Sequence, residues 1–256
     1  MPATDNRTTD NRKASEHVAQ RLRAEIAAGA LRPGDMLPPE AELMAKLGVG
    51  RPTLREALRL LESEGLARVQ RGNVGGVRIE APDRGRLARA SSLHLAMAGA
   101  TLAQVFAARD VLELEAVRLV VNGRRIATCD ALAATVAEEL ACGDDDDAYG
   151  VVHDRFHWEL MRGCGNPALD LMWHTLDEVV DRHRARFASA RAGDAALAAS
   201  SRRGTREGPK AHQRLVTLLR ERKAGDAERA WSKHLDSARA LLLAGDPSGG
   251  PIDLLD

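Results

Sequence analysis

Four histidines sit where helical spacing turns their rings toward a core. In AYGVVHDRFHWELM, His153 and His157 are four residues apart. That separation stacks two imidazoles one turn apart on one helix face, a pattern suited to chelating a single divalent cation. Leu160 continues the same face, so the face points inward. His212 leads the stripe Leu215, Val216, Leu219, and His234 lies on the stripe Trp231, Leu235, Ala238, Leu241. A lone inward histidine is ordinarily a hydrogen-bonded core residue, and the paired spacing is what raises the alternative. Burying imidazole without a partner is costly, and one shared metal satisfies all four rings. An all-imidazole set suits zinc, nickel or copper better than manganese.

A fifth residue breaks an apolar stripe. Arg109 lies between Val105 and Leu112 on the inner face of TLAQVFAARDVLELEAVRLVV. A buried guanidinium needs a carboxylate or an anionic ligand. Asp110 and Glu113 are the nearby internal candidates, and a bound carboxylate metabolite is the functional alternative.

A different chemistry is written at residues 51–55. Arg51, Pro52, Thr53 and Arg55 open a helix directly after the tight turn LGVG. Arginine reads guanine O6 and N7 in the major groove, and threonine meets a thymine methyl or a phosphate. The unpaired N–H groups of the helix start also favour phosphate. Arg71 and Gly72, in the turn RGNVGG, are placed to reach the backbone or the minor groove.

These residues need elements to hold them. Val18, Leu22 and Ile26 predict a helix capped by Ser15. A second helix, with Pro39 in its first turn, carries Leu43, Met44 and Leu47, and a third carries Leu54, Leu58 and Leu61. LARV and VRI read as two short strands joined by a loop. From Leu87 the pattern is helical throughout, over 87–97, 102–122, 128–142, 147–163, 166–189, 208–223 and 226–244. The stretch AGDAALAASSRRGTREGPK, residues 192–210, reads as a long mobile connection. The expected organisation is a polar disordered tail (1–14), a winged helix-turn-helix (15–80), a linker (81–86), an all-helical bundle (87–244) and a second tail (245–256). The fold class is therefore mainly α, with one small winged unit.

Composition narrows the partners. The 256 residues hold 37 Lys+Arg against 37 Asp+Glu, so the formal charge is zero. Residues 1–81 hold 13 basic and 11 acidic groups, and 51–78 hold six Arg against three Glu. A chain that coats polyanions with its whole surface is excluded, but a local basic face is not. Seven aromatic residues are too few for a single-strand stacking surface. The three cysteines form no CxxC pair, which fits a reducing cytoplasm. No apolar run reaches the ~18–20 residues that span a bilayer, and the N-terminal stretch shows no signal-peptide core.

The stretch LPPEAELMAKLGVGRPTLREALRLLESEGLARVQRGNVGGVRI resembles the DNA-binding domain of GntR-type regulators. The resemblance implies DNA contacts from Arg51, Thr53, Arg55 and the wing at Arg71 and Gly72. Two positions depart from the family pattern. Ala41 stands where an arginine is usual, and Gly50 stands where a serine or threonine is usual. The segments GATLAQVFAARDVLELEA, HDRFHWELMRGCGNPALDLMW and HQRLVTLLRERKAGDAERAWSKHL resemble the FCD effector domain of the FadR branch. In that family an aspartate four residues before the histidine of the FH pair joins three histidines around a metal. His157, His212 and His234 fall on the histidine positions, and His153 occupies the aspartate position. Asp154, one residue on, points ~100° away around the helix and is the alternative fourth ligand. The resemblance further implies that Arg109 anchors a carboxylate effector beside the metal.

Together these features predict a metabolite-responsive transcriptional regulator, most relatives being repressors. It would read a palindromic operator as a homodimer. Two rivals remain at this level. A helical metalloenzyme would need a general base, for which only Asp154 and Asp110 offer themselves. A metal-free regulator of the same family would take a larger acyl ligand.

Overall fold

The computed structural model describes residues 6–70, 76–123, 125–143, 145–191, 195–243, 250 and 252, with the side chains of 6–11, 146, 182–191 and 195–206 outside the description. The chain divides into two compact units, Met1–Asp83 and Arg84–Asp256.

In the first unit, helices α1 (Asn6–Ala27), α2 (Glu40–Leu47) and α3 (Arg51–Ser63) precede strands β1 (Ala67–Gln70) and β2 (Gly76–Ile79). Val18, Ala19 and Leu22 of α1 pack with Leu43 of α2, with Leu54, Ala57, Leu58 and Leu61 of α3, and with Val77 and Ile79 of β2. This is the i, i+3, i+4 stripe of amphipathic helices closed by one face of a hairpin. The strands pair antiparallel, Ala67 opposite Ile79 and Gln70 opposite Gly76. α2 ends at Gly48, whose φ of 67° is the left-handed conformation that glycine adopts without strain. That sharp stop lets α3 start three residues later. Gly50 occupies the cap position of α3 in extended backbone and supplies no side-chain hydrogen bond.

One boundary differs from expectation. α1 begins at Asn6, and Ser15 is an interior residue. Its buried hydroxyl donates to the Arg12 carbonyl at 2.9 Å, a bond within the helix rather than a cap.

The second unit is a helical bundle of α4 (Arg84–Met97), α5 (Leu102–Asn122), α6 (Ile126–Ala141), α7 (Asp146–Gly163), α8 (Pro167–Arg191), α9 (Ala195–Arg220) and α10 (Ala224–Leu242). α4 opens at Arg84, inside the expected linker. α5 starts with a reciprocal capping box: the Gln104 N–H donates to the Thr101 hydroxyl, and the Thr101 N–H donates to the Gln104 side chain. Its inner face, with Ala116, Val117 and Val120, forms the main core with Leu132 of α6, Phe156 and Leu160 of α7, Trp173 of α8, Leu215 of α9 and Trp231 of α10.

Two further expectations are corrected here. The stretch read as a mobile connection is helical from Ala195, so α9 runs unbroken through Pro209. Its alanine-rich start has the intrinsic propensity that its serines and glycines obscured. In the expected second tail, one described residue packs. Ile252 is buried beside Leu102, Val105 and Phe106, and its N–H donates to the Ala100 carbonyl at 3.3 Å.

Candidate metal centre and DNA-reading face

α7 supplies His153 and His157, α9 supplies His212 and α10 supplies His234. One ligand nitrogen from each lies within 4.8 Å of every other. Asp154 is not in this group.

The rings are held from behind. The His157 Nδ1 is 2.8 Å from the Glu113 carboxylate, which α5 presents. The His212 Nδ1 is 2.9 Å from Glu139, on α6. The His153 Nδ1 is 3.3 Å from the same Glu139 and 2.9 Å from the Tyr149 hydroxyl. A carboxylate can only accept, so it fixes the proton on Nδ1 and leaves the Nε2 lone pair facing inward. The Nε2 atoms of His212 and His234 face each other at 3.3 Å. That is close to the separation of two nitrogens each ~2.0–2.1 Å from one zinc ion.

Burial sets the protonation of the rings. His212 has 0% exposure, and desolvation first, opposed by Glu139, holds its pKa well below the usual imidazole value. His234 is pushed down to about 3 by burial, with His157 and His153 adding to the effect. Both rings are therefore neutral near pH 7, the state in which imidazole binds a cation. Burial alone would raise Glu139, but the hydrogen bonds of His153 and His212 bring it below its ordinary value. The walls are apolar and aromatic: Phe156 stacks on His212 at 3.8 Å and Trp231 on His234 at 4.7 Å.

Arg109 belongs to a network that begins at this centre. Its Nη2 lies 3.0 Å from Asp177 of α8 and 3.6 Å from Glu113, and its guanidinium covers the Trp173 ring at 4.7 Å. Glu113 in turn accepts from the Trp173 indole at 2.8 Å and the Trp231 indole at 3.1 Å. Burial raises the Glu113 pKa, and Arg109 with the two indole N–H groups opposes that shift. Of the two expected internal partners, only Glu113 faces Arg109. Asp110 is one residue round the helix and pairs with Arg239 instead. The buried Arg109 Nε has no hydrogen-bond partner among the described residues.

The DNA-reading candidates lie on the outer face of α3. Arg51 and Arg55 are 70% and 66% exposed, and Pro52 is exposed beside them. Thr53 is half-buried. The Arg51 Nε donates to Glu40 of α2 at 3.1 Å, and the Arg55 Nε is 3.6 Å from the same carboxylate. Arg71 and Gly72 lie outside the described residues.

Sequence reasoning missed Glu139, Asp177, Tyr149 and Gly208. Glu139 was findable, because it stands on the buried α6 stripe Leu132, Val136, Glu139 just as Arg109 stands on that of α5. Gly208 was not. It lies in α9 against the Tyr149 ring, and a Cβ there would overlap the Tyr149 hydroxyl.

Comparison with known proteins agrees with this architecture. Residues 14–77 match the family model of bacterial regulatory proteins, gntR family, and residues 104–237, just over half of the chain, match the FCD domain. The chain is 33% identical over 169 residues to the HTH-type transcriptional regulator YcbG of Bacillus subtilis, covering 66% of this chain and 70% of YcbG. It is 28% identical over 245 residues to the HTH-type transcriptional repressor NanR of Citrobacter rodentium, covering 92% and 87% of the two chains. The fold is similar to that of a GntR protein from Streptococcus agalactiae, with a TM-score of 0.63 at 22% identity over 88% of this chain and 98% of that one. No helix among the described residues is long and apolar enough to cross a membrane. With a helix-turn-helix unit followed by an FCD domain, the chain belongs to the gntR family of bacterial transcriptional regulators.

Proposed function

We propose that the protein is a metabolite-responsive repressor that binds a palindromic operator as a homodimer and carries a divalent metal in its helical unit. The observation that carries this reading is the convergence of His153, His157, His212 and His234, each from a helix of the FCD region. Two of the four rings turn Nε2 inward because a carboxylate takes Nδ1. The donor set is all nitrogen, which favours zinc, with nickel next.

In this account DNA reading belongs to residues 15–80, through Arg51, Pro52, Thr53 and Arg55 with the wing at Arg71 and Gly72. Residues 87–244 hold metal and effector and form the dimer. A divalent metal held by the four imidazoles would supply a Lewis-acidic point for a small carboxylate metabolite. Arg109 contributes its unpartnered Nε, while Asp177 and Glu113 keep the rest of the guanidinium in place. The effector acts by favouring one placement of the two DNA heads over another, since a ligand with equal affinity for both placements shifts nothing.

The test is a mobility-shift assay with zinc-loaded protein on the DNA upstream of its own gene. The expected result is one retarded band, lost in Arg51→Ala and Arg55→Ala and released by one member of a panel of small carboxylic acids. Equal binding to that fragment and to random duplex would contradict the reading.

A further inference from the structure

Beyond the four histidines, the centre has a shared support whose consequences can be measured separately. We propose that Glu139 is a positioning residue that ties His153 to His212, so that the third and fourth ligands of the centre are held as one unit. This rests on the reading of the cluster as a metal centre.

Three observations carry it. Glu139 is buried on the apolar stripe of α6, away from any solvent that could satisfy it. Its carboxylate meets two rings from two different helices, His212 of α9 at 2.9 Å and His153 of α7 at 3.3 Å. Glu113, by contrast, hydrogen-bonds one of the four histidines, His157. The His153 ring is fixed from a second direction by the Tyr149 hydroxyl, and Gly208 of α9 leaves the room that this hydroxyl needs.

The chemistry of the shared acceptor follows. An imidazole that gives its Nδ1–H to a carboxylate is held in one tautomer and one orientation, with a more basic Nε2. His212 does this with Glu139, while the His153 Nδ1, hydrogen-bonded to Tyr149, packs 3.3 Å from the same carboxylate, so one group contacts both rings and couples their placement.

The experiment measures zinc affinity of the full chain by competition with a chelating dye, after removal of bound metal. Glu139→Gln keeps the side-chain shape and removes the charge. It is expected to weaken zinc binding roughly 10–100-fold. The coupling is read from a double-mutant cycle. In a His153→Ala background, Glu139→Gln should cost several-fold less than in the wild type, because one of its two rings is gone. A purely structural role would lower the thermal midpoint of the metal-free protein and leave both zinc constants unmoved. Zinc affinity within twofold of wild type in Glu139→Gln, or an undiminished effect in the His153→Ala background, would overturn the proposal. Should Glu139→Gln not fold, Glu139→Asp keeps the charge and withdraws it by one methylene. A several-fold loss of zinc affinity supports the proposal there, and no loss overturns it. Absence of zinc binding by the wild type would instead remove the metal-centre reading itself.

Discussion

The two units of this chain place their polar chemistry in opposite locations. The winged unit has a core of aliphatic side chains and carries Arg51 and Arg55 on its surface, beside Glu40. The helical unit carries its polar groups at the centre: His212, Glu113 and Glu139 are all buried among aromatic rings. Under the proposed function the difference follows from what each unit would bind. A duplex is met at the surface, so its readers must stay hydrated and extended until contact. A dehydrated cation must be surrounded, so its ligands come from several helices and their supports come from helices further back. The cost is also unequal. Exposed ion pairs contribute little to stability, whereas a buried charge that loses its partner destabilises strongly.

The comparison can be broken most sharply at Glu113. Glu113→Ala strips the buried His157 ring and two indole N–H groups of their acceptor and leaves Arg109 with Asp177 alone, and a loss of ~3–5 kcal/mol is expected. All three tryptophans, Trp158, Trp173 and Trp231, lie in the helical unit, so tryptophan fluorescence in a urea titration reports on that unit alone. A change under ~1 kcal/mol would mean the buried network is not load-sharing with the core.

The matching change in the winged unit is Leu54→Ala, which opens a cavity in a wholly buried site of α3. The expected cost is ~2–5 kcal/mol. It should appear in far-ultraviolet circular dichroism while the tryptophan transition stays in place. A shifted tryptophan transition would show that the two units do not unfold separately.

Arg55→Ala tests the surface chemistry. It is expected to remove ~1–3 kcal/mol of specific DNA affinity while leaving the thermal midpoint unchanged, as checked by fluorescence anisotropy on a selected duplex and by a melting curve. The smallest effect is expected from Glu40→Gln. Freeing Arg51 and Arg55 from their shared carboxylate should raise affinity for random duplex about twofold to fivefold and steepen its salt dependence by about one charge. Unchanged affinity would show that Glu40 does not compete with phosphate for these arginines.

Legibility from sequence follows the same division. In the winged unit, periodic Val18, Leu22, Leu54, Leu58 and Leu61 mark the core directly, and the proposed recognition residues of α3, Arg51 to Arg55, are neighbours in sequence. In the helical unit the histidines were visible because each interrupts or leads an apolar stripe. Their supports were harder. Glu113 meets His157 across 44 residues and Glu139 meets His212 across 73. No local pattern encodes such a pairing. Asp177 was missed for the same reason, and the early start of α1 because a polar helix leaves no stripe to read.

The most direct test of the central claim is metal content after equilibration with zinc and exhaustive dialysis, measured by elemental analysis on the wild type and on His212→Ala. The account predicts one zinc per chain in the wild type and a small fraction of that in His212→Ala, with both proteins folded. No retained zinc in the wild type, or equal zinc in the two proteins, would contradict it.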